Sequence, residues 1–235
     1  MKDAWITFVN WLEYGDYIEK GLEVTKNDFR DQCLKQQRNL PKTGKLYRDA
    51  RVNHYLLKIL RHHNSKRILF YWPFGFEADI RRTILALRSK KSLYLPFMDD
   101  ISFKMVPLRL PLERKAFGIY EPRFSNLNIN LIDIAIVPVV GVDGAGRRIG
   151  FGKGMYDRFF PTLKSKPLTI FVQSRRCHTS LALCDDYDVQ GDLLITPDGV
   201  RRMKDFHVKQ PARRRWRSHS KRDSRIFNFK KNITF

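Results

Sequence analysis

Cysteine is scarce: Cys33, Cys177 and Cys184 are the only three in 235 residues. None stands in a CxxC or Cys/His ligand spacing, so a disulfide-framed scaffold and a zinc site both lack a signature, and the three read as reduced thiols of a cytoplasmic protein. Long apolar runs are missing too. No stretch approaches the roughly 18 apolar residues of a membrane span. Asn10 and Glu13 interrupt the aromatic N-terminus and no small-residue cleavage site follows, which argues against a signal peptide. Acidic residues are few, 24 against 45 Lys and Arg. The net charge of +21 favours anionic ligands or polyanionic partners and says nothing about the fold. Arg201 to Phe235 carries 13 Lys and Arg against two Asp, so about half of the excess sits at one end.

What is present describes a folded chain. Hydrophobic residues make up 43% and aromatics 13%, enough for one α/β domain with a sizeable core. Thr25 is placed to cap a helix with Asp28 at its third position, and Phe29, Cys33 and Leu34 share one face of it. Val52, Tyr55, Leu56, Ile59 and Leu60 follow the i, i+3, i+4, i+7, i+8 pattern of a core-facing helix. Strands are expected over Arg67 to Trp72, Leu93 to Phe97, Ser102 to Arg109, Ile134 to Val140, Leu168 to Val172 and Leu193 to Thr196, with a helix over Asp79 to Leu87. Strands alternating with helices predict an open, mainly parallel, doubly wound sheet with helices on both faces. In such a sheet ligands bind beyond the carboxyl ends of the strands, which brings Glu77, the segment after Val140 and Gln173 towards one pocket.

That segment after Val140 is rich in glycine and base. Gly150, Gly152 and Gly154 alternate, and Arg147, Arg148 and Lys153 lie among them. Glycine lets backbone N–H groups approach a ligand closely, and a following helix start favours negative charge, so the stretch suits phosphate. It is not a P-loop: Arg147 stands where the first glycine is required and Gly154 where Ser or Thr is required. Nor is it the dinucleotide fingerprint, whose last glycine is replaced by Met155.

RIGFGKGMYD, Arg148 to Asp157, resembles the R-x-G-x-G-[KG]-G-[YF]-Y-D signature of 5-formyltetrahydrofolate cyclo-ligases, the methenyltetrahydrofolate synthetases. Lys26 with Arg30 resembles that family's N-terminal K-x-x-x-R, Glu77 the acidic residue after its first strand, GIYEP at 118–122 its G-I-x-E-P segment, and DYDVQGDLLIT its C-terminal D-x-x-x-D-x-x-x-T stretch. The resemblance implies an enzyme in which ATP phosphorylates the formyl oxygen of 5-formyltetrahydrofolate, N10 attacks the activated carbon, and phosphate leaves to give 5,10-methenyltetrahydrofolate. Phosphoryl transfer rests on charge neutralisation and positioning. Lys153 and Arg148 are the implied catalytic cations. ATP would lie against Lys26, Arg30, Arg148, Ile149, Gly150, Phe151, Gly152, Lys153, Gly154, Met155 and Tyr156. Glu77 would bind the pterin, with Trp72, Met105, Phe117 and Tyr156 as apolar walls or, equally, as ordinary core. Asp157 and Asp188 are the implied Mg²⁺ ligands. Met155 departs from the family's usual aromatic residue, and Tyr187 from its frequent His.

The chain thus divides into an N-terminal extension (1–24), a cyclo-ligase-like domain (25–200) and a basic C-terminal extension (201–235) expected to be disordered. Arg213, Arg214, Arg215, Trp216 and Arg217 suit weak RNA association, with Trp216 stacking on bases, or an anionic membrane surface, and equally a solubilising extension with no partner. The alternative function is an RNA-binding protein with the cyclo-ligase-like domain as scaffold. A monomer is expected.

Overall fold

A computed structural model describes residues 24–114, 120–122, 125, 127 and 129–206. Helix α1, Lys26–Arg38, starts as its capping signal requires: the Thr25 hydroxyl accepts from the Asp28 N–H and the Asp28 carboxylate accepts from the Thr25 N–H. Its buried face is Phe29, Cys33 and Gln37. Helix α2, Lys45–His62, buries Val52, Leu56 and Leu60 on the expected stripe. Strand β1 (Arg67–Leu69), helix α3 (Arg81–Leu87) and strand β2 (Ser92–Asp99) form a parallel βαβ unit, and β3 (Ser102–Pro107) returns antiparallel beside β2. The remaining strands are β4 (Glu113–Arg114), β5 (Tyr120–Glu121), β6 (Ile134–Pro138), β7 (Gly141–Val142), β8 (Arg148–Ile149), β9 (Leu168–Val172), β10 (Leu193–Thr196) and β11 (Gly199–Arg202), and α4 (Met155–Phe159) lies between β8 and β9.

Seven strands form one sheet in the order β11-β10-β9-β6-β1-β2-β3. The five central strands are parallel and the two outermost antiparallel. The mainly parallel doubly wound sheet is therefore as expected, with one strand more than the sequence pattern suggests. Successive residues face opposite sides. Ile134 and Ile136 join the core under α2 and α3, whereas Ala135 and Val137 join the core under α4, with Phe103, Phe159 and Phe171. Because β1 and β6 are neighbours while the chain runs outward from them in both directions, the strand order reverses between them. That reversal opens a crevice between the segments following β1 and β6, which carry Glu77 and the glycine-rich stretch.

Against expectation β1 ends at Leu69 instead of Trp72, α3 begins at Arg81 instead of Asp79, β2 is longer at both ends and β3 stops at Pro107 instead of Arg109; further differences have identifiable reasons. Strand β6 stops at Pro138, which cannot donate to the ladder, and the stretch read as a loop contains the hairpin β7–β8. Strand β11 (GVRR) runs across the boundary drawn at residue 200 into the region assigned to the basic extension, and Met203 behind it is buried against Gly146. The residues from 207 onward, and those before 24, lie outside the described residues.

The cysteines correct the reading of three reduced thiols. Cys33 on α1 and Cys177 after β9 are joined by a disulfide, leaving Cys184 free. Their separation of 144 residues gives no local signal, but both belong to a small core formed with Phe29, Val140 and Ile149. Titration of the denatured, unreduced protein is expected to find one thiol of three. Replacing both Cys33 and Cys177 by serine is expected to lower stability by roughly 2–4 kcal/mol in denaturant unfolding. Three titratable thiols and an unchanged unfolding midpoint would contradict the bond.

Candidate active site

The glycine-rich stretch is built on the edge of the small core. Val140 N–H donates to the Ile149 carbonyl at 2.9 Å, and the Val140 carbonyl accepts from the side-chain amides of Gln37 and Gln173. Gln173 also bonds both backbone groups of Cys177. Gln173 thus has its amide saturated by backbone, and it holds the site's frame instead of lining the pocket. A Cβ on Gly141 would sit 2.7 Å from the Phe29 ring, so α1 could not approach the stretch this closely with any other residue there. Gly150 is pinned the same way, since a Cβ would lie 2.3 Å from the Arg148 guanidinium. Gly152 and Gly154 have φ of +91° and +61°, a region costly for other residues.

Two cations reach the stretch from α1, one turn apart. Arg30 Nε donates to the Gly150 carbonyl at 2.9 Å. Lys26 Nζ bonds Asp188 Oδ2, and Asp188 also accepts from the Asp185 N–H at 2.8 Å. Partial burial opposes the Lys26 charge, but the Asp188 bond and the nearby Cys184 and Asp185 hold its pKa above the ordinary value.

The centre of the site is Arg148. It is 5% exposed, pairs with Asp157 at 2.7 Å, and its guanidinium lies 5.2 Å from the centroid of the Tyr156 ring. Asp157 also accepts from the Val189 N–H, while the Arg148 N–H donates to the Val189 carbonyl, so Asp157 and Asp188 flank one short piece of chain. Arg148 Nε is the one buried side-chain polar atom without a partner among the described residues. A buried donor left unpaired costs free energy, so an acceptor brought to it by a ligand would be favourable. Lys153 differs from Arg148: it is exposed, and its ammonium has no partner among the described residues.

Glu77, in the segment after β1, is 7% exposed. Burial pushes its pKa up to about 7, against the pull of the Phe74 N–H that it accepts at 2.8 Å. Burial, followed by the Glu77 charge, also raises the Tyr71 and Tyr156 hydroxyls, which places both phenols within electrostatic reach of that carboxylate. Because the folded pKa of about 7 exceeds the ordinary 4.5, the contribution of Glu77 to stability is full below about 4.5 and lost as pH rises through 7. Glu77→Gln is therefore expected to gain on the wild type between pH 5 and pH 8 by an amount of the order of 2 kcal/mol, read from unfolding at the two pH values. An equal difference at both would show that Glu77 is not a buried, raised acid.

The other expected residues fall as follows. Ile149 is fully buried and offers the site only its backbone. Phe151 is 37% exposed and faces Phe76 at 5.5 Å, which in turn stacks on Phe74, giving the crevice an aromatic rim. Met155 packs into the core beside Tyr156 and Phe160. Trp72 is half-buried against the core under α2 and α3, and Met105 is 1% exposed within the opposite core. Phe117 lies outside the described residues.

Two positioning groups carry no sequence signature. Asp143, fully buried, accepts from the N–H groups of Ala145, Arg147, Leu183 and Cys184, tying the β7–β8 hairpin to the segment that bears Asp188. Asp49 on α2 accepts from Lys45 and from the Asp79 N–H, and Lys45 also bonds the Glu77 carbonyl, so α2 fixes the Glu77 turn. A DG turn with a third glycine nearby hints at the first, whereas the second needs contacts some thirty residues apart.

Glycines and cations gathered at the reversal point of a doubly wound sheet are what an α/β enzyme that handles phosphate requires. The comparisons sharpen this. The 5-formyltetrahydrofolate cyclo-ligase family matches residues 23–193, and the chain belongs to that family. A 5-formyltetrahydrofolate cyclo-ligase of Mycoplasma pneumoniae is 28% identical over 180 residues, covering 74% of this chain and 100% of the relative. That of Haemophilus influenzae is 27% identical over 150 residues, covering 60% and 80%. The solved structure of Aquifex aeolicus 5,10-methenyltetrahydrofolate synthetase superposes with a TM-score of 0.66 at 27% identity, covering 81% of this chain and 98% of that one.

Proposed function

We propose that this protein is an ATP-dependent ligase that cyclises 5-formyltetrahydrofolate to 5,10-methenyltetrahydrofolate, releasing ADP and phosphate. The observation that carries the reading is Arg148: a buried guanidinium with an unpaired Nε, stacked on Gly150 within the family's signature. In the reaction, the γ-phosphoryl group passes to the formyl oxygen, N10 closes on the activated carbon, and the C–O bond breaks with departure of phosphate. Lys26 and Arg30 bind the nucleotide phosphates. Arg148 and Lys153 neutralise the charge that develops on the transferring group, and the backbone N–H groups around Gly150, Gly152 and Gly154 orient its oxygens. Glu77 bonds the pterin donor edge, with Tyr156 and Trp72 against its faces and Phe151 at the rim.

The donor set suits Mg²⁺. Among the described residues no three His, Cys, Asp or Glu side chains cluster, but Mg²⁺ is held by one or two carboxylates together with substrate phosphates, and Asp157 and Asp188 supply two beside the cationic loop. Bound there with ATP, Mg²⁺ would supply charge neutralisation on the phosphates. The catalytic unit runs from residue 25 through β11, which completes the sheet, and is read as a monomer. Among the described residues no helix is long and apolar enough to cross a membrane. A cytoplasmic location rests on the supply of ATP and reduced folate, no longer on reduced thiols. Weak RNA association of the tail is an accessory reading supported by Arg213 to Arg217 in the sequence alone.

The test mixes purified protein, Mg·ATP and 5-formyltetrahydrofolate and follows the near-ultraviolet absorbance of the methenyl product. Growth of that band only with ATP supports the assignment, and its absence from folded protein would sink it.

A further inference from the structure

A second cationic pocket lies away from the crevice, behind the β7–β8 hairpin. It encloses about 530 Å³ between the segment His178, Thr179 and Ser180 and the far edge of the sheet, where β11 and the turn after it contribute Arg201, Arg202 and Phe206. A volume of this size is that of a small-molecule site. Its two walls are fixed. The Thr179 N–H donates to the Val142 carbonyl, and β11 is held to β10 through four residue pairs.

Arg201 and Arg202 have no carboxylate partner among the described residues, in contrast to Arg67, Arg81, Arg147 and Arg148, each of which pairs with an Asp. Partial burial, followed by the charges of Arg176 and Arg201, holds the His178 imidazole below its ordinary pKa. Asp205 is the single acid lining it. Hydroxyls of Thr179 and Ser180 add donors, and the Phe206 ring, 5.5 Å from that of His178, adds an apolar edge.

We propose that His178, Thr179, Ser180, Arg201 and Arg202 form a binding site for a small phosphate-bearing molecule, separate from the catalytic crevice. The Arg201 guanidinium, on the His178 side of β11, and the Thr179 and Ser180 hydroxyls match a phosphate dianion, which takes several charge-assisted hydrogen bonds at once, while Arg202 adds positive charge from the next position. Asp205 would meet a hydroxyl on the rest of the ligand and Phe206 an unsaturated ring, features of a nucleotide. Orthophosphate shares the anchoring chemistry without either. The inference does not depend on the cyclo-ligase assignment.

The experiment follows the His178 ring resonances of the full-length protein by NMR during titration at constant ionic strength with orthophosphate, AMP or glutarate. A saturable shift with orthophosphate or AMP is expected, and stronger binding of AMP would identify a nucleotide as the occupant. The same shift is expected to need about tenfold more ligand in the R201Q/R202Q double variant, with its melting temperature and cyclisation kinetics unchanged, since both side chains are exposed and outside the crevice. No saturable shift with either phosphate compound, equal or stronger binding of glutarate, or undiminished binding by R201Q/R202Q would each overturn the proposal.

Discussion

Lys153→Ala is expected to lower kcat by about 10²–10³-fold while leaving the melting temperature where it was. The two halves of that expectation come from the same observation. The ammonium is exposed and has no partner among the described residues, so removing it breaks no folded-state contact. Yet it stands in the Gly150 to Gly154 stretch, the segment that follows Arg148, whose Nε is buried without an acceptor among the described residues. A positioned charge on a developing anion is worth about 3–4 kcal/mol, which is the loss in rate stated. Steady-state kinetics with saturating ATP and folate decide it. Near wild-type kcat would remove Lys153 from the transferring phosphate, and a large fall in melting temperature would show that the residue is structural instead.

Arg148→Met is expected to fail on both counts. Arg148 and Asp157 are 5% and 12% exposed, so deleting the cation strands a carboxylate in a nearly dry place. Breaking such a pair costs roughly 3–5 kcal/mol. Turnover should vanish with it, because the guanidinium is the cation proposed to neutralise the transferring phosphoryl group. The control is the double variant Arg148→Met, Asp157→Leu, in which no charge is left unpaired. Denaturant unfolding should show most of the lost stability restored, since well-packed apolar replacements of a buried pair are often neutral. Activity should stay absent. If the double variant were as unstable as the single one, the pair would not be the reason for the instability; if it were active, Arg148 would not be catalytic.

The elements that could be read from the sequence are those whose signals are local. Thr25 and Asp28 cap α1 as their spacing demands, and the 3.6-residue stripe of Val52, Leu56 and Leu60 faces the core. Strands β9 and β10 begin and end where the apolar runs do. The polar residues of the candidate site come from the family signature, because Lys26, Arg30, Arg148 and Asp157 keep its order along the chain. What connects them does not. Lys26 meets Asp188 across 162 residues, Cys33 meets Cys177 across 144, and Asp143 gathers donors from a segment forty positions away. The β7–β8 hairpin escaped notice for a different reason: two-residue strands amid glycines carry no alternation to detect. Strand β11 was hidden by its arginines, whose charge matches that of the tail that follows.

The aromatic rim shows how a family departure is absorbed. At the position where the family has an aromatic residue, Met155 turns into the core, while Phe151, Phe76 and Phe74 line the mouth of the crevice. Ring stacking at the site is thus available from neighbouring positions, and Arg148 still has Tyr156 beneath it.

The central claim is that this site transfers the γ-phosphoryl group of ATP to the formyl oxygen before the ring closes. The most direct measurement uses 5-formyltetrahydrofolate labelled with ¹⁸O in the formyl group, turned over in ordinary water with Mg·ATP, and reads the isotope content of the released phosphate by mass spectrometry. The expected result is one ¹⁸O in each phosphate formed per methenyl product. Unlabelled phosphate accompanying methenyl formation would contradict the account.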